Sequence, residues 1–375
     1  MNTIKKKANL SHSTMTDQAD IHTLLEQILH AYIKGRFTWA DGRHLLKITD
    51  ENELEWFFTQ VGNHRFRSEP KILKCYTPGQ HFPAISVTGT DCELNCAHCD
   101  RKYLRNMLQA PTEEQMKGVL EQLVKQGSIG ALLSGGCDKS GRVPVLKYKD
   151  IIDKFTDKHH FYFNAHVGLV TFRDALDLKM MGIKTVSFDM VLDPHISLEL
   201  FHVTDDPTDY LASYENLREA KLDVVPHVLI GGYYGKIARE IDALKILEPD
   251  SPRLIVFISM IPPKDKDGNI LSPFEAPTPG DVAKHIFITK AMIPGAEISL
   301  GCMRIRGKES FQMERWAILA GANRIEIPHR DTRSWAIAMG FELQYFGSCC
   351  AVLPEFEEHA RSQDITGKKR QNKDQ

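Results

Sequence analysis

The sequence has 375 residues, of which 42% are hydrophobic and 26% charged, and its formal net charge is −2. Such a length and balance fit an ordinary globular protein with one large domain and extensions. The charge leaves no basic excess for a phosphate backbone, so nucleic acid is not an expected partner. No run of about eighteen apolar residues marks a membrane span, so no membrane is expected either.

Lys5-Lys6-Lys7 stands near the start with no apolar run behind it, which is not the pattern of a secretory signal. The cytoplasm is the expected compartment, and there eight cysteines are more readily metal ligands than a disulfide framework. Residues 1–18 are polar and rich in Ser, Thr and Lys, the composition of a disordered start. Ile21, Leu24, Leu25, Ile28, Leu29 and Tyr32 then recur at the spacing of an amphipathic helix. A second helical face, Leu54, Phe57, Phe58 and Val61, follows Thr49-Asp50-Glu51 as a cap. Residues 19–75 are therefore read as a helical extension of a main domain over 76–354, followed by a charged, mobile tail over 355–375. Within that tail Lys368-Lys369-Arg370 is a solvated charge run.

From Phe82 onward short apolar runs alternate with longer helical patterns in eight rounds. The runs are Ala84 to Val87, Gly130 to Leu133, Phe161 to Ala165, Thr185 to Phe188, Val224 to Ile230, Leu254 to Ile258, Glu297 to Leu300 and Arg324 to Ile327. Eight βα units are the number that closes a (β/α)8 TIM-barrel-type α/β domain; a doubly wound open sheet is the alternative. Cys75 precedes the first run and reads as structural.

Directly after the first run, Cys92, Cys96 and Cys99 stand at C-x-x-x-C-x-x-C spacing. Thiols used as small core residues scatter along a sequence, whereas these cluster among Asp91, Glu93, Asn95, His98 and Asp100. Three thiolates in one loop can hold a soft metal or an iron–sulfur cluster and leave one coordination position open. A zinc site completed by His98 or a distant residue is the competing reading. In a parallel barrel the residues following each strand gather at one mouth. Here they are Ser134-Gly135-Gly136-Cys137, His166, Asp189, His227 with Gly231-Gly232, and Gly301-Cys302-Met303-Arg304.

With the three cysteines after the first unit and Gly135-Gly136 after the second, the chain resembles the radical SAM superfamily from about Phe82 to Pro328. The resemblance implies a [4Fe-4S] cluster held by Cys92, Cys96 and Cys99, whose open iron takes the amino and carboxylate groups of S-adenosylmethionine (SAM). Reduction of that cluster cleaves SAM to a 5′-deoxyadenosyl radical, which abstracts an unactivated hydrogen. Gly135 and Gly136 then suit close backbone approach to the methionine amino group, and Asp189 with Ser187 suits the ribose hydroxyls. His98 stands where the family usually has an aromatic residue, and its ring still offers a flat face to adenine. Arg304 or Arg330 suits the SAM carboxylate.

The stretch from Ser272-Pro273 to Pro328, especially Glu297-Ile298-Ser299-Leu300-Gly301-Cys302 and Ala320-Gly321-Ala322-Asn323-Arg324-Ile325, is similar to the biotin-synthase-like branch. Cys302 takes the place of that branch's arginine cluster ligand. Cys137, Cys302, Cys349 and Cys350 all fall after strands at the same mouth, which points to an auxiliary iron–sulfur cluster. Vicinal Cys349 and Cys350 are expected to point apart, so that only one of them ligates.

The likeness is greatest to one subunit of the two-protein lipoyl synthase. It implies sulfur insertion into an octanoyl chain on a carrier-protein lysine, a second radical SAM subunit as partner, and an electron donor such as ferredoxin or flavodoxin. Cofactor maturation or methylation in the same branch, and a non-catalytic zinc-binding scaffold, are the alternatives.

Overall fold

A computed structural model describes residues 10–204 and 206–361. Its strands are β1 (Ile72–Tyr76), β2 (Ala84–Ser86), β3 (Leu108–Gln109), β4 (Gly130–Ser134), β5 (Tyr162–His166), β6 (Thr185–Asp189), β7 (Asp223–Ile230), β8 (Leu254–Ser259), β9 (Glu297–Leu300), β10 (Arg324–Glu326) and β11 (Glu342–Phe346). They form one sheet in the order β11-β1-β10-β9-β8-β7-β6-β5-β4-β2-β3, with every pairing parallel. This is an α/β barrel-type fold containing all eight expected strands, β2 and β4 to β10. The ladder runs open, with β3 and β11 at its edges.

Alternation along each strand separates two cores, because successive side chains leave opposite faces of the pleat. Phe163, Val186, Phe188, Ile255, Phe257, Ile298 and Ile325 face the surrounding helices in one cluster. Tyr162, Val225, Leu254 and Val256 lie on the other face, in a second cluster filled by Phe346 and the segment Cys350, Ala351, Val352 and Leu353. The same inner face carries His166, Ser187, Asp189 and His227 farther along the strands, where the space is left for ligands. Thr–Asp or Thr–Gln capping boxes start the helices Glu113–Lys125, Phe172–Met180 and Pro279–Met292.

The helices Leu10–Ile33, Trp39–Leu46 and Glu51–Arg65 precede the sheet, and the first begins ten residues before Asp20, inside the stretch expected to be disordered. They pack on the helices Pro279–Met292 and Lys308–Ala320. Phe57 meets Phe287 edge-on at 5.0 Å between ring centroids, and Arg65 donates to the carbonyls of Ile318 and Leu319 at 2.8 and 3.1 Å. Glu55 accepts from Arg315 and Trp316, which fixes both as packing residues.

Two further boundaries differ from the expectation. The extension ends in β1, which pairs with β10 and β11 inside the sheet and buries Cys75. Ile72-Leu73-Lys74-Cys75-Tyr76 is too short and too interrupted by Lys74 to announce itself as a strand. The stretch assigned to the mobile tail opens with a helix, Pro354–Ala360. Its Glu357 is buried because Lys74 and Arg324 bond it at 2.8 and 2.7 Å, a compensation that local charge density does not reveal. The rest of the tail, 362–375, and most of the start expected to be disordered, 1–9, lie outside the described residues.

Candidate active site

Cys92, Cys96 and Cys99 lie half-buried in the loop that leaves β2. That loop is held from both sides by backbone bonds. Thr88 Oγ1 donates to the Asp91 carbonyl at 2.8 Å and accepts the Gly136 N–H at 2.7 Å. The Glu93 N–H donates to the Cys137 carbonyl at 2.8 Å, and the Cys137 N–H donates to Cys92 Sγ at 3.3 Å. A Cβ on Gly136 would stand 2.0 Å from the Asp91 carbonyl oxygen and 2.6 Å from Cys92 Cβ. Glycine is therefore required here by the loop it supports, over and above any approach to a ligand.

Burial pushes the Cys96 thiol up to about 12, with the charges of Cys99 and Cys92 adding to the rise. Cys99 is raised mainly by burial as well. Three thiols gathered in one half-buried loop are a donor set that a cation converts to thiolates. The N–H directed at Cys92 Sγ supplies the kind of hydrogen bond that tunes a cluster sulfur. The loop fits a resident iron–sulfur cluster on these grounds.

Two cavities adjoin the loop. The first, about 270 Å³, is walled by Cys92, Cys96, Cys99, Gly135, Gly136, Cys137, Ser187 and Asp189. The second, about 230 Å³, runs deeper along the strand ends and takes in His227, Cys302, Glu326, Cys349 and Cys350. His98, His166, Asp189 and Phe201 wall both, so the cavities meet at these four side chains.

The carboxylate of Asp189 makes no hydrogen bond or ion pair with a described side chain and stands open at that junction. Ser187, expected beside it, is buried and exchanges hydrogen bonds with Asn164 at 2.9 and 3.2 Å. Burial lowers His98 to about 4, reinforced by Lys102 and opposed by Asp189. Burial lowers His166 in the same way. His227 falls to about 4 through burial and the neighbouring His166. All three imidazoles are neutral near pH 7. Nδ1 of His227 lies 3.0 Å from the Val225 carbonyl, which assigns the proton to Nδ1 and leaves Nε2 as an acceptor.

Several sequence expectations change. Arg304 is fully buried, pairs with the equally buried Glu314 at 2.6 Å and donates to the Ile327 carbonyl at 3.2 Å. With its guanidinium committed there and outside both cavity walls, it is a structural residue, not a SAM-carboxylate ligand. The four leftover cysteines do not form one set. Cys137 belongs to the first cavity, where burial followed by the charges of Cys92 and Cys96 raises its thiol to about 12. Cys302, Cys349 and Cys350 belong to the second.

Cys302 opens onto that cavity and so is solvent-accessible. Even so, its surroundings and the charges of Glu326 and Cys349 push its thiol far upward. Cys349 and Cys350 do not point apart: both sulfurs lie within 4.8 Å of each other and of a Glu326 oxygen.

Sequence reasoning missed Glu326, although an acidic residue within the apolar run Arg324 to Ile327 was a usable signal. Phe201 and Val203, which roof the first cavity, follow the wide helical turn Ile196–Leu200 and carry no sequence signature. That turn brings the Phe201 carbonyl to 3.8 Å from Cys96 Sγ.

No protein-family model matches the chain, and no curated protein matches it. Among solved structures it is similar to the FeFe-hydrogenase maturase HydG from Carboxydothermus hydrogenoformans, with a TM-score of 0.63 at 14% identity over 92% of this chain and 82% of that one. A second HydG structure gives 0.63 at 17% identity over 94% and 82%. Methylornithine synthase (PylB) gives 0.56 at 16% identity over 84% and 97%. At these identities the likeness establishes a shared fold, of the α/β barrel type.

Proposed function

We propose that this chain is a radical SAM enzyme. The observation that carries the reading is the three-thiol loop opening onto a cavity whose far wall holds an unpaired carboxylate, Asp189. A [4Fe-4S] cluster bound in that loop would, once reduced, supply the electron for cleavage of the SAM sulfonium. Cys92, Cys96 and Cys99 would hold it, and the Gly135-Gly136 backbone would border the methionine end of SAM. Asp189 would accept hydrogen bonds from the ribose hydroxyls, and the His98 ring, held neutral by burial, would lie along the base. The second cavity, continuous past Asp189, receives the substrate and keeps water from the reacting carbon. The likeness in fold to HydG and PylB supports the reading.

The finer reading is sulfur insertion into an octanoyl chain carried on a protein lysine, with a second radical SAM subunit and a ferredoxin- or flavodoxin-type donor. Leu132, Met190, Val191, Leu229, Val256 and Ile258 on the second cavity's wall suit an alkyl chain. The four cysteines expected to hold its sulfide do not converge, so this reading stands on the acyl-chain fit alone. Cofactor maturation is the second reading, favoured by the likeness to a hydrogenase maturase.

Anaerobic reconstitution tests the primary reading. About four irons per chain that disappear in the Cys92→Ala/Cys96→Ala/Cys99→Ala variant are expected. Stoichiometric zinc in place of iron would instead make the chain a zinc-binding scaffold. For the finer reading, an octanoylated carrier peptide incubated with the enzyme and its partner should gain sulfur mass. An unchanged peptide mass while SAM is consumed would exclude lipoyl synthesis.

A further inference from the structure

We propose that Glu326, Cys349 and Cys350 form a binding site for a single soft divalent cation, zinc or ferrous iron, on the wall of the second cavity. The site is separate from the cysteine loop. One carboxylate oxygen and two sulfurs lie within 4.8 Å of one another, although Glu326 ends β10 and the cysteines follow β11. Two ligands each about 2.3 Å from one ion stand at most about 4.6 Å apart, so small side-chain rotations close this set on one ion. In a cubane each thiolate sits on a different iron, and the sulfurs are spread correspondingly wider.

The environment argues the same way. Glu326 is 5% exposed and has no ion-pair partner among the described residues. Its donors are the Cys350 N–H, at a long 3.4 Å, and the Cys350 thiol. A buried carboxylate with no ion-pair partner and both sulfurs within 4.8 Å is costly to leave ionised without a cation. Two thiolates with one carboxylate make a soft, borderline donor set, which selects zinc or iron over magnesium or calcium.

The segment is placed by ties that do not involve the metal. Arg324 donates to the Val352 carbonyl at 2.7 Å and to the Cys350 carbonyl at 3.4 Å. Three protein ligands leave a fourth position, and the cavity in front of it is walled by Cys302. The proposal is independent of the radical reading, since none of its ligands belongs to the three-cysteine loop.

The test uses the full-length Cys92→Ser/Cys96→Ser/Cys99→Ser variant, stripped with chelator under anaerobic conditions and titrated with Co²⁺ alone. One Co²⁺ per chain is expected, with a thiolate-to-cobalt charge-transfer band that added Zn²⁺ abolishes. Glu326→Gln or Cys349→Ser in that background should weaken Co²⁺ binding by about tenfold or more. Absence of the band, or a band unchanged by both substitutions, overturns the site. Reconstitution of the same variant with iron and sulfide should leave no acid-labile sulfide on the chain; equimolar iron and sulfide would replace the single ion with a cluster. Should the triple variant not fold, the wild-type chain serves, and it should contain one metal ion per chain beyond those matched by acid-labile sulfide. A metal content fully matched by sulfide, or zero, overturns the proposal.

Discussion

The backbone N–H of Cys137 points at Cys92 Sγ from 3.3 Å, so the turn after β4 supports the cysteine loop after β2 through main-chain atoms. The Cys137 thiol itself is not needed for that contact. Cys137→Ala should retain iron at the wild-type level after reconstitution. Gly136→Ala should lose most of it, because the added Cβ falls 2.0 Å from the Asp91 carbonyl oxygen. Overpacking of this kind costs about 1–3 kcal/mol. Iron per chain in the two variants, measured side by side, checks the assignment.

Asp189 stands open where the two cavities meet. Replacing it with Asn keeps the shape and removes the charged acceptor, so SAM binding should weaken by about tenfold or more, or about 1.4 kcal/mol. Iron content should not change. Equilibrium dialysis of the reconstituted variant measures the first, and iron analysis the second.

Arg304 and Glu314 form a pair that water does not reach. Arg304→Met leaves the Glu314 carboxylate buried and uncompensated, which costs about 3–5 kcal/mol. The double variant Arg304→Met/Glu314→Leu removes both charges and should recover a large part of that loss. Urea unfolding of the single and double variants tells a structural role from a cofactor-binding one, since a ligand-binding arginine would show no such recovery.

His227 and His285 are held neutral by burial, each lowered from 6.5 to about 4. The unfolded chain therefore binds more protons than the folded one between those values, and stability rises with pH across the window. The contribution is complete above pH 6.5 and is lost as pH falls toward 4, at about 3 kcal/mol for each histidine. Denaturant midpoints at pH 7 and pH 4.5 should differ accordingly. His285→Gln, on the helix Pro279–Met292, should flatten the dependence.

The eight strands β2 and β4 to β10 were legible because each is an apolar run between helical patterns, and their order follows from right-handed crossovers. The cysteine loop was legible because three thiols among polar residues have no packing explanation. β1 and β11 were not, since Lys74 and Gln344 interrupt runs of five residues whose burial depends on distant partners. Nor was the packing of Cys350–Leu353 against the inner face of the strands, which is set by Arg324 and the second core cluster. Arg304 looked like a rim residue by position. Its partner Glu314, a turn or more into the following helix, decides otherwise.

The central claim is that Cys92, Cys96 and Cys99 hold a cluster that cleaves SAM. The most direct measurement incubates the anaerobically reconstituted, chemically reduced chain with SAM and quantifies 5′-deoxyadenosine, beside a Cys96→Ala control. Several turnovers by the wild type and none by the variant are expected. Intact SAM in a wild-type sample that carries its full complement of iron, or equal cleavage by the variant, would contradict the claim.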